Sequence, residues 1–120
     1  MSEFLYIDGI RGNATEANHR GEIELTSVAF PGNKPGASSP AKDLKLREMG
    51  VTKNVDSAST SLYKAAMSGQ IFGSMILDLV RPGGTSRLTL SMVSLANMQL
   101  DERQNESFNL VFERISYERV

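Results

Sequence analysis

The sequence predicts a mainly β fold, a small barrel or sandwich of short antiparallel strands with one α-helix. Three observations predict it. Apolar and polar residues alternate in short runs, as in Met75, Leu77 and Leu79 or Phe108, Leu110 and Phe112, which is the period of a half-buried strand. Turn-forming clusters such as Pro82-Gly83-Gly84-Thr85 separate the runs, and Gly-Gly supplies the positive φ of tight hairpins. Only the window around Leu62, Ala65, Ala66 and Gly69 has helical spacing, with small residues on the face that packs on a sheet.

Taken in order, Phe4–Asp8 is the first strand, ended by Gly9. Arg11–Arg20, rich in Gly, Asn and Thr, is a loop. Gly21–Phe30 is the second strand, and its phase changes partway: Ile23 and Leu25 share one face, Val28 and Phe30 the other. Such a strand carries a bulge or is buried on both faces. The stretch 31–41, PGNKPGASSPA, holds three prolines, two glycines and two serines in eleven residues and is an extended loop. Strand character returns over Lys42–Thr52. The helix spans about 59–69, with Ser59 as N-cap, Asp56 as the alternative, and Gly69 ending it. Ser74–Arg81 is a strand. Ser86–Leu100 returns along it with Leu88, Leu90 and Met92 in step; it is long for one strand, so a bend is expected near Ser94. Asp101–Glu106 is a charged connection. The last run has Phe108, Leu110 and Phe112 in phase, then slips near Glu113 to Ile115 and Tyr117.

At 120 residues the chain is expected to form one domain, residues 1–120. A net charge of −1 without a basic patch argues against nucleic acid and anionic membrane as partners. There are no cysteines and one histidine, His19, so disulfides, thiol catalysis and Cys- or His-rich metal sites are excluded. No cofactor is expected. The N-terminus, with Glu3 and Asp8, lacks a signal-peptide pattern, and no apolar run approaches the roughly 18 residues of a membrane span.

No constellation carries catalysis. Glu22 and Glu24 alternate on a strand; a carboxylate pair serves glycoside cleavage, but two solvent-facing strand residues explain it more simply. Glu16, Asn18 and His19 share a loop without a nucleophile, so His19 reads as a turn residue. No Gly-x-Ser-x-Gly elbow occurs, and Pro82-Gly83-Gly84 lacks the Lys and helix of a phosphate loop. Lys34, Lys45, Arg47, Lys53, Arg81 and Arg87 are scattered singly, the pattern of charges that keep sheet faces soluble and guard strand edges.

Three segments together resemble the haemolysin-coregulated protein (Hcp) family of bacterial type VI secretion. The opening, IDGI followed by HRGEI, carries Asp8, Gly9, His19, Gly21, Glu22 and Ile23. The helix segment, KNVDSAST through Leu62 to Gly69, carries Asp56; the family often has proline where this chain has Thr60. The ending, SFNLVFERISYE, keeps Glu106, Leu110, Phe112 and Tyr117 in place. The resemblance implies a small β-barrel of two antiparallel sheets with one flanking helix, similar to phage tail-tube proteins. It implies homohexameric rings that stack into a tube, driven with a VgrG-type spike by a contractile sheath on a baseplate. It also implies small effectors held in the lumen, no enzymatic activity, and secretion from the cytoplasm without a cleaved signal.

Family likeness further implies that the loop at Gly32, Asn33, Lys34, Pro35, Gly36, Ala37, Ser38 and Ser39 reaches neighbouring subunits and the next ring. If the second strand is buried on both faces rather than bulged, its second apolar face places Val28 and Phe30 at a subunit interface. Two departures stand out: the connection before the last strand is only DERQNE, and the chain ends at Val120, so no fused toxin domain is expected. A monomeric β-barrel that encloses a small ligand is the alternative reading, and a small hydrolase the third.

Overall fold

The structure, a computed structural model, describes residues 2–29 and 48–120. Eight strands and one α-helix are formed by them: β1 (Ser2–Tyr6), β2 (Ile23–Leu25), β3 (Ser27–Ala29), β4 (Glu48–Asn54), α1 (Ser59–Ser68), β5 (Phe72–Arg81), β6 (Gly84–Leu100), β7 (Asn105–Val111) and β8 (Arg114–Arg119). Every strand pairing is antiparallel, as the sequence predicts. The order runs β2-β1-β5-β6-β7-β4-β3, with β8 also on β6.

Two corners fold this order into a barrel of two sheets. At one, the 17-residue β6 belongs to both: its first half lies between β5 and β8, and its second half pairs with β7. At the other, β2 pairs with β1 while β3 pairs with β4, and the chain switches sheets at Thr26. The phase change between Ile23/Leu25 and Val28 is therefore a sheet-to-sheet corner, for which a bulge within one strand is the same signal in sequence. Thr26 fixes the corner, since its N–H and hydroxyl both donate to the Thr52 carbonyl, at 2.7 and 3.1 Å.

The bend in β6 falls at two places. Met92 and Asn97 both have φ of 55°, and the register to β7 shifts between Ala96 and Gln99. Met92 is thereby turned out of step with Leu88 and Leu90 and exposed, and Val93 and Leu95 take over the core face. A left-handed residue re-aims the side chains that follow it.

The sheets bury Leu5, Ile23, Met49, Met75, Leu77, Leu90, Val93, Phe108 and Leu110 in one cluster, which Leu62 and Ala65 of α1 join. Each buried Leu or Phe contributes roughly 2 kcal/mol relative to exposure. The helix begins at Ser59 behind Ala58, which makes no side-chain cap bond. Instead Asp56 Oδ1 accepts the Ala58 N–H at 2.9 Å, so the alternative cap is the nearer description. Gly69, at φ 71°, closes the C-terminus in the left-handed conformation that glycine adopts without a Cβ clash. The hairpin turn after β5 is Pro82-Gly83, and its positive φ falls on Gly84, at 136°.

The β6–β7 turn is built on a carboxylate. Asp101 Oδ1 accepts the N–H groups of Arg103 and Asn105 at 2.8 and 3.0 Å, and these bonds hold its carboxyl below the ordinary value, the Asn105 bond most. A depressed carboxyl stabilises the fold above its unfolded pKa of about 3.9 and loses that contribution as pH falls through the folded value. The protection factor of the Asn105 amide, its exchange rate set against the intrinsic rate at the same pH, is therefore expected to fall at acid pH in the wild type and to be low at every pH in Asp101→Ala. Exchange unaffected by the substitution would refute the assignment.

Candidate assembly surfaces

Two polar networks hold His19, Glu22, Asp56 and Glu106 of the motif residues; their centres, Asp78 and the Lys53–Glu106 pair, are buried, while Arg87 reaches the surface. The first is in the opening segment. Arg11–Gly21 folds back on the chain through Gly12 N–H to the Gly21 carbonyl (2.8 Å), Ala14 N–H to the Glu22 carbonyl (3.0 Å) and Gly21 N–H to the Ala14 carbonyl (3.0 Å). Gly9 and Gly21, at φ 90° and 82°, make the reversals. The fold-back buries His19, stacked on Phe4 with ring centroids 4.2 Å apart. Its Nδ1 lies 3.0 Å from Glu22 Oε1 and 3.7 Å from Asp78 Oδ2.

Arg87 completes this network, donating from Nε and Nη2 to the two Asp78 oxygens at 2.8 and 3.0 Å. That bond raises the Arg87 pKa above its ordinary value. His19, Glu22 and Asp78 offer atoms within 4.8 Å of one another, the one such metal-capable group among the described residues. The guanidinium occupies both Asp78 oxygens and places a positive charge beside them, so the group is built as a structural ion-pair network.

The second network spans β4, α1 and β7. Lys53 is fully buried and Glu106 is 1% exposed; they face each other across the β4–β7 ladder with Nζ–Oε1 at 2.6 Å. Asp56 lies 2.8 Å from the same ammonium. The Ser59 hydroxyl accepts from Lys53 at 3.3 Å and from the Asp56 N–H at 3.0 Å, and donates to Glu106 at 2.9 Å. Among the described residues every buried side-chain polar atom has a partner, as buried charges require.

These findings correct the sequence reading at several residues. Lys53 and Arg87 are not scattered solubilising charges, and Arg81 pairs with Glu3 at 3.1 Å. Glu106 is a buried strand residue rather than part of a charged connection, and His19 is buried in its turn. Of the other motif residues, Ile23 and Leu62 are core, Asp56 is a half-buried cap, and Asp8 is exposed beside Gly9. Val28 is half-buried, opposite Val51, and packs against the core, so a charge there would strike the fold as well as any interface. Phe30, Gly32, Asn33, Lys34, Pro35, Gly36, Ala37, Ser38 and Ser39 lie outside the described residues.

Among the described residues the apolar cluster occupies the barrel interior. Concave surface is found in open grooves instead, such as one of about 440 Å³ between Asp8–Ile10 and α1, lined by Ser61, Lys64 and Ser68. The surface is unusual at β8. All six of its residues are exposed, and apolar Ile115, Tyr117 and the following Val120 stand at 45%, 61% and 62% exposure.

The family described as "Type VI secretion system effector, Hcp" matches residues 4–118. The chain belongs to the Hcp family. Solved Hcp structures share its fold. Hcp2 from Salmonella typhimurium is 26% identical, over 100% of this chain and 88% of that one, with a TM-score of 0.80. Hcp1 from the same organism is 26% identical over 99% and 87%, with a TM-score of 0.76. A type VI secretion system effector from Yersinia pestis, at 20% identity over 98% and 88%, has a TM-score of 0.81 and shows the fold alone. No curated protein sequence is significantly similar. As an Hcp protein the chain is a tube component of type VI secretion, a secreted structural protein that associates with itself. No described helix is long and apolar enough to cross a membrane.

Proposed function

We propose that this chain, as one 1–120 unit, is the ring subunit of the type VI inner tube. Six copies close into a ring, rings stack, and the tube carries small effectors in its lumen. Assembly takes place in the cytoplasm, with a VgrG-type spike, contractile sheath and baseplate as partners and export without a cleaved signal. The role is structural rather than catalytic. The observation that carries this reading is the match to the Hcp family over residues 4–118. The filled interior supports it over a ligand-binding barrel, which needs room inside. The segment 32–39 serves, on the same reading, as a contact to neighbouring copies.

Light scattering after size exclusion, with negative-stain images of the same peak, tests the reading. The expected result is annular particles with about six times the 13.1 kDa chain mass. A protein that stays monomeric at high concentration would sink it.

A further inference from the structure

One element of the opening motif has no part in either polar network. Ile7, Asp8, Gly9 and Ile10 form a tight turn, closed by the Ile10 N–H donating to the Ile7 carbonyl at 3.1 Å. Asp8 and Gly9 are its two corner residues, both exposed, with Gly9 at φ 90°. Asp8-Gly9 is also the one place in the chain where glycine follows Asp or Asn. An aspartyl carboxyl is open to attack by the main-chain nitrogen of the next residue, and any side chain on that residue stands in the way; glycine has none.

The other described aspartates are held. Asp56 lies against the Lys53 ammonium at 2.8 Å and accepts the Ala58 N–H at 2.9 Å. Asp78 is clamped by Arg87, and Asp101 by the N–H groups of Arg103 and Asn105. A carboxylate in charge-assisted bonds of this kind is not free to turn towards its own backbone. Asp8 meets only the exposed Tyr6 hydroxyl, at 3.4 Å, which is long for a bond between two oxygens. Among the described residues nothing accepts the Gly9 N–H. A Cβ built at Gly9 would meet nothing within 4 Å, so the turn has room to rearrange. Open grooves flank it, one of about 440 Å³ towards α1 and one of about 400 Å³ towards Arg11 and Arg20, and both admit water.

We infer that Asp8-Gly9 is a site of spontaneous succinimide formation, and so of conversion to isoaspartate in the folded protein. The Gly9 nitrogen attacks Asp8 Cγ; the N–Cγ bond forms, the Cγ–OH bond breaks, and the hydroxyl leaves with the amide proton as water. Water then opens the ring. Attack at Cγ restores aspartate, and attack at the α-carbonyl leaves the main chain running through the former side chain. Water is the only reactant. Isoaspartate adds a methylene to the main chain of a turn closed by a single hydrogen bond. Ile7, 1% exposed, and Ile10 pack on the core on either side of it, so the added length strains the entry to the fold-back. This chemistry is independent of how copies of the chain assemble.

The test is incubation of the folded protein at neutral pH and physiological temperature, then labelling with an isoaspartyl carboxyl methyltransferase and methyl-labelled S-adenosylmethionine, with peptide mapping. The expected result is label that accumulates with time in the peptide holding Asp8. None above background is expected at Asp56, whose neighbour Ser57 is small but whose carboxylate is tied. Asp8→Glu is expected to abolish the Asp8 signal, because attack on a glutamate side chain closes a larger, disfavoured ring; circular dichroism checks that the variant folds. No label at Asp8 in the folded wild type, including the case where urea-unfolded chain gains it, overturns the inference. Equal label at Asp8 and Asp56, or a signal that survives in Asp8→Glu, overturns it too. Mapping of the wild type decides by itself if the variant does not fold.

Discussion

Glu106→Leu is expected to destabilise this protein by about 3–5 kcal/mol, the cost of leaving a buried charge without its partner. Lys53, with no exposed surface, would keep only Asp56, at 2.8 Å, and the Ser59 hydroxyl, at 3.3 Å, which would itself lose its acceptor. Lys53→Met is expected to cost a similar amount, because Glu106 then holds its charge against Ser59 alone. The double variant Lys53→Met/Glu106→Leu is expected to regain much of the loss, since an apolar pair of similar volume often replaces a buried ion pair without penalty. Urea unfolding followed by circular dichroism, at matched protein concentration, measures all three. Single variants within about 1 kcal/mol of wild type would show that the pair is not desolvated as the structure has it.

Gly12→Ala is expected to be the most damaging methyl group that can be added to a glycine of the opening segment. A Cβ at Gly12 would sit 2.5 Å from the Glu22 carbonyl oxygen and 2.6 Å from the Ile23 Cα. Both are backbone atoms, and the Gly12–Gly21 and Ala14–Glu22 hydrogen bonds hold them in place, so relief requires the fold-back to open. The cost is on the order of 3 kcal/mol, with exposure of Phe4 and His19 as the loop lifts. Gly73→Ala is the control: its Cβ would meet nothing within 4 Å, and it should stay within about 0.5 kcal/mol of wild type. The Tm of each variant reads the difference. Equal effects at the two positions would contradict the close approach at Gly12.

Much of the architecture is legible in the chain. Alternation places Met49 and Val51, Met75 and Leu77, and Phe108, Leu110 and Phe112 on buried faces, and all are buried. The phase slip near Glu113 marks the break between β7 and β8, where the Glu113 N–H donates to the Ser91 carbonyl. A signal for the buried ion pair is also present. Lys53 continues the phase of Met49 and Val51, and Glu106 precedes Phe108 in phase, so two opposite charges sit at core positions of two strands. Single charges are usually solvated, and that general rule outweighs the phase when each is read alone.

Other features have no signal that one sequence can give. Asp78 sits between Leu77 and Leu79 in a strand whose apolar residues fill one face, which suggests a solvated carboxylate; it is 3% exposed because β6 brings Arg87 opposite it and the fold-back brings His19. The change of face after Leu25 indicates a disturbance of the strand but not that Thr26 is the corner between two sheets.

The sequence by itself determined the alternating runs, the helix with its glycine stop, the turns and the resemblance to the Hcp family, because periodicity, turn chemistry and motif order are local properties of a chain; it did not separate β2 from β3, which read as one strand. Only the tertiary structure decided that Lys53 meets Glu106, that Arg87 and His19 converge on Asp78, and that β8 is left bare beside β6. Those are pairings between residues far apart in sequence, and which partners meet depends on strand register and on where the sheet turns its corners, quantities fixed by the packing of the whole barrel.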